Sequence, residues 1–456
     1  MVVLKNSYTI RPAEPTPSSG ICISDCDQDK QITHIPLIYF YGSLPGLSFA
    51  SIIETLKISL SKALVCFYPL AGRLYWTTGS SGRVALNCNS MGARLYEAES
   101  DAKIEDFGDF CPTPKLRSLV PSVDYSDPFH ELPLLLVQLT KFSCGGISLG
   151  LATSHIMIDG TSFSHFMSTW AKIARGEPLD VLPFLDRTLL LARDPPAPPQ
   201  FNHETFNPPP LLIGGGSDNE EERSKETTVA MLHLSKIQVE KLKHLANNVS
   251  RATNVQPYSR YEAVAGHIWR CTCKAREHKH NQITKLYLPV NFRNRMLPPL
   301  PQGYFGNAIL RIAASSQSGE LMTRPLGHAS SKIREAVEMV TDDYVRSAID
   351  LVKIQPDLTR FRSNHTVGST EGPFYGNPNL VVTSWIGLPL KNVDFGWGKE
   401  IYMGPAVVAF DGKCYIFSGR DGDGSLTIAI RLQVAHLDAL KEIFYKDISD
   451  WSCSKL

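Results

Sequence analysis

The chain has 456 residues, of which 43% are hydrophobic and 20% are charged. These are ordinary values for a folded globular protein, and the length suits two domains of roughly 200 residues each better than one compact core. Lys and Arg number 46 against 45 Asp and Glu, so the net charge argues against nucleic acid or a strongly anionic membrane as a partner.

The N-terminal part of the chain alternates strand and helix patterns. Residues 35–41 form an apolar run typical of a strand, and beyond residue 45 apolar residues recur at helical spacing. Two further apolar runs, 134–139 and 147–152, flank a Cys-Gly-Gly turn and predict a β-hairpin. The predicted apolar face of the helix consists of Ile52, Ile53, Leu56, Leu60, Ala63 and Leu64.

The composition changes sharply between residues 194 and 225. This stretch contains two proline clusters, three consecutive glycines and three consecutive glutamates, and we expect an exposed, partly extended linker. The sequence therefore predicts an N-terminal domain over 1–193, a crossover linker over 194–225 and a C-terminal domain over 226–456. Past the linker, Ser235 and Ser259 are each predicted to cap a helix. Ile237, Leu242 and Leu245 supply the apolar positions of the first.

A candidate catalytic histidine follows the predicted strand 147–152. His155 lies in a short turn that ends at Gly160, before a helical pattern. Such a turn holds a side chain firmly while leaving it accessible, and a histidine accepts a proton readily near neutral pH. Taken by itself, the pattern His-x-x-x-Asp is weak and favours a buried histidine satisfied by a backbone carbonyl over a catalytic one.

A second motif, Asp-Phe-Gly-Trp-Gly at 394–398, accompanies His155-x-x-x-Asp159. Together they resemble the signature pair of the plant BAHD acyltransferases, and the blocks at 68–74, 261–270 and 303–307 resemble that family too. The resemblance implies a mixed α/β fold of two chloramphenicol-acetyltransferase-like domains. Each domain would hold a mixed β-sheet with flanking helices, and the active-site channel would lie between them.

The resemblance also implies a mechanism. The acyl thioester of coenzyme A and the acceptor would enter from opposite faces, and His155 would deprotonate the acceptor for direct attack on the thioester. Asp159 would play a structural role by pairing with Arg293, although a turn-capping role is the alternative. Asn291 stands where the family usually has an aspartate, so the local charge network is expected to differ.

Other site residues are carried over from the family in the same way. The segment from Thr383 to Trp385 is the candidate for stabilising the oxyanion. Ser259 and Arg260 match positions that bind coenzyme A, since a guanidinium at a helix start suits a phosphate, but an ordinary solvated arginine is the alternative.

The Asp-Phe-Gly-Trp-Gly motif resembles a structural element distant from the chemistry. Gly396 and Gly398 would permit tight turns beside Asp394, and the two aromatic residues would supply large surfaces to bury.

Within the family, the resemblance is nearest to the hydroxycinnamoyl transferases that acylate spermidine. It rests on residues 7–10, 12–16, 32–36 and above all 368–379. Shikimate and quinate transferases have an arginine that binds the acceptor carboxylate two residues after the tryptophan of Thr-Ser-Trp. Gly387 occupies that position here.

We therefore expect a polyamine acceptor bound by carboxylates and aromatic faces. Glu371, Phe374 and Tyr375 are the principal candidates, and Asp350 and Asp357 are weaker ones because they could be surface residues of a helix. The alternatives are a solvated Glu371, O-acylation of shikimate, quinate or another alcohol, and a non-catalytic relative. A serine hydrolase is disfavoured because the chain has no Gly-x-Ser-x-Gly motif.

The remaining expectations concern location and cofactors. The first residues lack an apolar run after a basic cluster, and no stretch of about 18 apolar residues occurs, so we expect a cytoplasmic protein. The ten cysteines lack zinc-site spacing and are expected to be reduced. We expect a monomer with no metal or bound cofactor, whose only partners are hydroxycinnamoyl-CoA and the polyamine.

Overall fold

The structure is a computed structural model, and it describes residues 1–77, 82–215, 220–248, 256–362, 375–420 and 422–449. No helix within these ranges is both long enough and apolar enough to cross a bilayer. Glu371 and Phe374 lie outside the described residues.

Strands and helices are both distributed along the described parts of the chain. The strands are β1 (Val2–Ile10), β2 (His34–Tyr41), β3 (Arg73–Trp76), β4 (Val84–Asn87), β5 (Ala93–Ser100), β6 (Leu135–Phe142), β7 (Ile147–Ser154), β8 (Thr227–Leu234), β9 (Ile283–Asn291), β10 (Ile309–Gln317), β11 (Leu380–Ser384), β12 (Tyr402–Pro405), β13 (Lys413–Ser418) and β14 (Leu426–Gln433). The helices are α1 (Asp25–Gln28), α2 (Phe49–Cys66), α3 (Pro114–Arg117), α4 (Gly160–Ala174), α5 (Glu220–Ser224), α6 (Lys236–Asn247), α7 (Arg260–Ala275), α8 (Ser318–Thr323), α9 (Leu326–Glu338), α10 (Asp342–Ile354), α11 (Thr359–Arg362) and α12 (Val434–Ser449).

The first large sheet has the strand order β1-β5-β6-β7-β2-β12. Its strands are antiparallel except for the parallel pair β5 and β6, so the sheet is mixed. The predicted hairpin is confirmed as β6 and β7, and the predicted strand at 35–41 is β2. Helix α2 buries all six residues of its predicted apolar face, because those positions form one stripe along the helix.

The second large sheet has the strand order β10-β9-β11-β13-β14-β8. Strand β11 runs parallel to both of its neighbours, and the other pairs are antiparallel. Helices α7, α9 and α12 contribute to the core on one face of this sheet. Ser235 and Ser259 cap α6 and α7 as predicted. Ile237, however, is 80% exposed, and Val239 takes the buried position in its place.

The second half of the chain contributes one strand to the first large sheet. Strand β12 lies in the predicted C-terminal domain, yet it pairs with β2 at the edge of the first sheet. The Asp-Phe-Gly-Trp-Gly motif just before it also packs on the first core, through Phe395. The division at 193 and 226 therefore stays a prediction with this departure, because the segment around β12 belongs structurally to the first sheet.

The crossover segment is more ordered than its composition predicts. Glu222 in α5 is buried, and its Oε2 accepts hydrogen bonds from Asn377 at 2.9 Å and from Gln433 at 2.7 Å. His203 is also buried, with Nε2 3.0 Å from the hydroxyl of Ser347. Part of the predicted linker is thus fixed to the second half of the chain by hydrogen bonds, which composition alone does not reveal.

Candidate active site

His155 directly follows β7 and precedes α4, where the chain turns between two buried elements. Its backbone N–H donates to the carbonyl of Thr33 at 3.1 Å, which joins the turn to the segment leading into β2. The turn ends at Asp159, which caps α4 by accepting from the N–H of Ser162 at 2.9 Å. The imidazole is only partly buried, so the side chain is held firmly and remains accessible.

The surroundings of His155 favour the neutral imidazole. Burial lowers its pKa, the carbonyl of His155 itself raises it, and the positive charges of Lys30 and Lys413 lower it. Atom Nδ1 is buried with no partner at hydrogen-bonding geometry. Nε2 is therefore the ring nitrogen that is left to accept a proton from a substrate.

Asp159 and Arg293 form a buried ion pair between the two halves of the chain. Arg293 donates from Nη1 to Oδ2 at 2.7 Å and from Nη2 to Oδ1 at 3.0 Å. Burial by itself would raise the pKa of Asp159, but the charge and hydrogen bonds of Arg293 and two backbone N–H groups outweigh it and hold the pKa below its ordinary value. The carboxylate of Asp159 therefore positions the loop and is unsuited to accept a proton.

Asn291, which replaces the aspartate usual in the family, accepts hydrogen bonds from Arg293. Its Oδ1 accepts from the backbone N–H of Arg293 at 3.0 Å and from Nη1 at 3.4 Å, and its Nδ2 donates to Thr161 at 3.2 Å. Asp159 is the only carboxylate that pairs with Arg293 among the ion pairs of the described residues. The departure from the family pattern is therefore accommodated by an amide oxygen.

A second network, which the sequence analysis did not identify, holds the catalytic loop from behind. The carbonyls of residues 155–157 accept hydrogen bonds from Asn307 Nδ2 and Arg187 Nη2 at 2.7–3.2 Å. Asp27 anchors both donors, because its carboxylate accepts from Asn307 at 2.8 Å and from Arg187 at 3.3 Å. Asp27 is fully buried and also accepts from the hydroxyl of Ser24 at 2.6 Å.

This network joins three distant parts of the sequence. Asn307 falls in the block 303–307 that resembles the family, which was the one available signal for it. Asp27 and Arg187 carried no signal, since a charged residue is usually exposed and nothing local marks these two as buried.

The predicted oxyanion segment lies at the end of β11 and in the residue that follows it. Thr383 accepts a hydrogen bond from Lys413 Nζ at 2.8 Å, so its own O–H remains able to donate. The backbone N–H of Trp385 donates to the carbonyl of Ile416 at 2.7 Å. Trp385 therefore cannot offer this N–H to an oxyanion as the sequence analysis allowed, and its ring packs at 4.8 Å from Tyr415.

Two of the described acceptor candidates, Tyr375 and Asp350, already contact cationic side chains of the protein. Tyr375 is buried, and the guanidinium of Arg311 lies 4.7 Å from the centre of its ring. Asp350 is buried, so the surface alternative for it is wrong. Its carboxylate accepts from Arg193 Nε at 2.7 Å and from the N–H of Arg193 at 2.9 Å. A side chain at Gly387, the position of the absent arginine, would meet open space.

The predicted coenzyme A residues lie at the start of α7. Ser259 caps the helix in a capping box with Glu262, and Arg260 is its exposed first residue. A methyl group added at Gly424 would lie 3.8 Å from Arg260 Nη1, so the guanidinium extends towards the loop before β14. An exposed cation at a helix N-terminus is compatible with a phosphate ligand.

The Asp-Phe-Gly-Trp-Gly motif has the contacts of a structural element. One oxygen of Asp394 accepts from the N–H groups of Gly396, Trp397 and Gly398 at 2.7–2.9 Å. Both glycines have positive φ, at 97° and 87°, which a side chain would strain. The ring of Phe395 packs edge-to-face on Trp170 of α4 at 4.9 Å.

Known proteins resemble this chain over nearly all of its length. The model of the Transferase family matches residues 1–447. The hydroxycinnamoyl-CoA:piscidic acid hydroxycinnamoyltransferase of Actaea racemosa is 51% identical over 452 residues, which cover 98% of this chain and 100% of that protein. The shikimate O-hydroxycinnamoyltransferase of Nicotiana tabacum is 41% identical, covering 97% and 99%. The crystal structure of vinorine synthase superposes with a TM-score of 0.69 at 25% identity, covering 96% of each chain.

Proposed function

Because the chain belongs to the Transferase family, the BAHD acyltransferases, and is itself an acyltransferase, we propose that it transfers a hydroxycinnamoyl group from coenzyme A to a hydroxyl group of a small acceptor. The observation that carries this proposal is His155, held by its backbone at the end of β7 with a lowered pKa and a buried Nδ1. The two relatives named above support the donor and the hydroxyl acceptor.

In the proposed reaction, Nε2 of His155 removes the proton of the acceptor hydroxyl as the oxygen attacks the thioester carbonyl. The C–O bond forms, and the carbonyl electrons move to oxygen, giving a tetrahedral oxyanion. When the oxyanion collapses, the C–S bond breaks and the imidazolium returns its proton to the thiolate of coenzyme A. Atoms and charge balance without any further reactant.

Two side chains support this sequence of steps. The hydroxyl of Thr383 is the proposed donor to the oxyanion, since its O–H is left available by the bond it accepts from Lys413. Asp159 keeps the loop in place through Arg293, so the imidazole does not have to be reoriented during the reaction.

A polyamine such as spermidine is the second candidate acceptor. Gly387 lacks the side chain that could bind a carboxylate at that position, and Glu371 is the candidate partner for an ammonium group. An aliphatic amine near pKa 10 is mostly protonated at pH 7, so His155 would have to accept an additional proton before or during attack.

The test is a product assay with the purified full-length protein and p-coumaroyl-CoA. The acceptors are piscidic acid, shikimate, quinate, spermidine and putrescine, with products identified by mass. We expect ester products and release of coenzyme A that depends on His155. Amide products from spermidine, reduced about ten- to a hundredfold by Glu371→Gln, would establish the polyamine alternative. The absence of acyl transfer to every acceptor would refute the proposed function.

A further inference from the structure

The two faces of the second large sheet have different surroundings: one face packs on the helical core, and residues of the other, such as Phe417 and Ala429, belong to the first core. On β9, β10, β11 and β13, alternate residues point into the helical core, and Cys414 and Ile416 are examples. The residues between them therefore share the opposite face, because side chains alternate along a strand. That face carries Arg311, Thr383 and Lys413.

Lys413 carries a positive charge on this second face of the sheet. Its Nζ donates one hydrogen bond, to Thr383 at 2.8 Å, and lies 4.7 Å above the ring of Tyr415. No Asp or Glu pairs with it among the described residues. An ammonium group has three donors, so two remain for a ligand.

A hydrogen bond and an electrostatic interaction link Lys413 to the two residues proposed to act in the reaction. Lys413 is hydrogen-bonded to the proposed oxyanion donor, and its charge acts on His155. Arg311 adds a second positive charge on the same face, with its guanidinium 4.7 Å from the ring of Tyr375. Burial lowers the pKa of Lys413 to about 7, and Arg311 contributes in the same direction. A ligand carboxylate would relieve both effects.

We propose that the acceptor carries a carboxylate and that the ammonium group of Lys413 binds it, which orients the acceptor hydroxyl towards His155. This inference rests on the proposed function and specifies its acceptor as a hydroxy acid. Lys413 thereby performs, from β13, the charge recognition that an arginine at 387 would provide. It is a specificity-determining residue, and the bond from its Nζ to Thr383 fixes its direction.

The first experiment compares each acid with its methyl ester, using p-coumaroyl-CoA as the donor. The pairs are shikimate with methyl shikimate and piscidic acid with its dimethyl ester. A charge-assisted hydrogen bond corresponds to roughly a ten- to hundredfold effect on kcat/KM. We expect the wild-type protein to prefer an acid over its ester by that factor.

The variants separate charge from shape. Lys413→Met should reduce the ratio of kcat/KM for the acid to kcat/KM for the ester to about one, and Lys413→Arg should retain most of the preference for the acid. Lys441→Met, at a surface lysine of α12, is the matched control and should change neither value. A ratio of acid to ester that is the same in the wild type and in Lys413→Met would overturn the proposal, and a folding defect could not imitate the expected change in ratio.

A second measurement distinguishes the source of the anion. The phosphates of coenzyme A could also contact a lysine, so the affinity for coenzyme A is measured by calorimetry. An affinity unchanged by Lys413→Met supports the acceptor carboxylate. A loss for coenzyme A as large as the loss for the acid assigns the ammonium to the donor and overturns the proposal.

The outcome also separates this inference from the proposed function. Efficient transfer to esters or to spermidine, with no advantage for the acids, refutes the role of Lys413 and leaves the acyltransferase activity intact. The absence of transfer to any acceptor refutes both.

Discussion

The ion pair between Asp159 and Arg293 offers the sharpest test of how the catalytic loop is held. The carboxylate is 1% exposed and accepts four hydrogen bonds at 2.7–3.0 Å, two from Arg293 and two from backbone N–H groups. Removing one partner of a buried pair leaves the other charge uncompensated and typically costs about 3–5 kcal/mol. We expect Arg293→Met to lower the free energy of unfolding by this amount at pH 7.

Asp159→Asn preserves the shape of the side chain and an oxygen that can cap α4. It should cost less than Arg293→Met, because the amide still accepts the N–H of Ser162. The two substitutions disrupt one pair, so the loss in the double variant should fall short of the sum of the single losses by roughly 0.5–3 kcal/mol.

The assay is urea unfolding followed by tryptophan fluorescence, with Lys332→Met at a surface ion pair of α9 as the control. The pH dependence has a definite sign. The pKa of Asp159 is depressed in the folded protein, so the stability it contributes is present above its unfolded pKa of about 3.9 and is lost as the pH falls through its folded value. Without Arg293, burial should raise the pKa of Asp159. The difference in the free energy of unfolding between the wild type and Arg293→Met should therefore become smaller as the pH falls from 7 to 4. If the losses in unfolding free energy were strictly additive and the destabilisation by Arg293→Met did not change with pH, the coupling between Asp159 and Arg293 would be refuted.

Three further predictions concern catalysis. His155→Ala should leave the unfolding curve unchanged and lower kcat by roughly two to four orders of magnitude, measured by release of coenzyme A; near-normal turnover would exclude His155 as the base. Asn307→Ala removes the amide that holds the catalytic loop and should lower kcat by roughly ten- to a hundredfold while the KM for the acyl-CoA changes little; loss of donor binding with kcat unchanged would contradict a positioning role. For an acceptor that carries a carboxylate, kcat/KM should depend on pH in two ways. At low pH, below the ordinary histidine pKa, it should fall because His155 becomes protonated. Above about pH 7 it should fall again, because Lys413, facing Arg311 and beside Cys414, loses its proton. Lys413→Met should remove the alkaline limb and shift the acid limb to higher pH, because the charge of Lys413 lowers the pKa of His155. An alkaline limb unchanged by that substitution would assign the limb to another group.

Local patterns in the sequence were sufficient for much of the first half of the fold. The buried face of α2 and the hairpin of β6 and β7 follow from periodicity, because side chains three or four apart share a helix face and alternate residues share a strand face. The caps at Ser235 and Ser259 were equally predictable, since a cap is satisfied within three residues. His155 was identifiable only because its motif is paired with the one at 394–398.

Several strands and helices, the family and the candidate base could be predicted from the sequence, because they depend on residues close together or on motifs that can be recognised in one dimension. Which charged side chains contact one another is known only from the three-dimensional arrangement. No conclusion about Asp27 or Lys413 was drawn from the sequence, and Asp350 was named as a weaker candidate for binding the acceptor. In the structure, Asp27 anchors the catalytic loop and Asp350 pairs with Arg193. Lys413 donates to Thr383, acts electrostatically on His155 and has no carboxylate partner among the described residues. The physical reason is that the energy of a charge depends on burial and on partners brought together by folding, and neither is encoded by its neighbours in the chain.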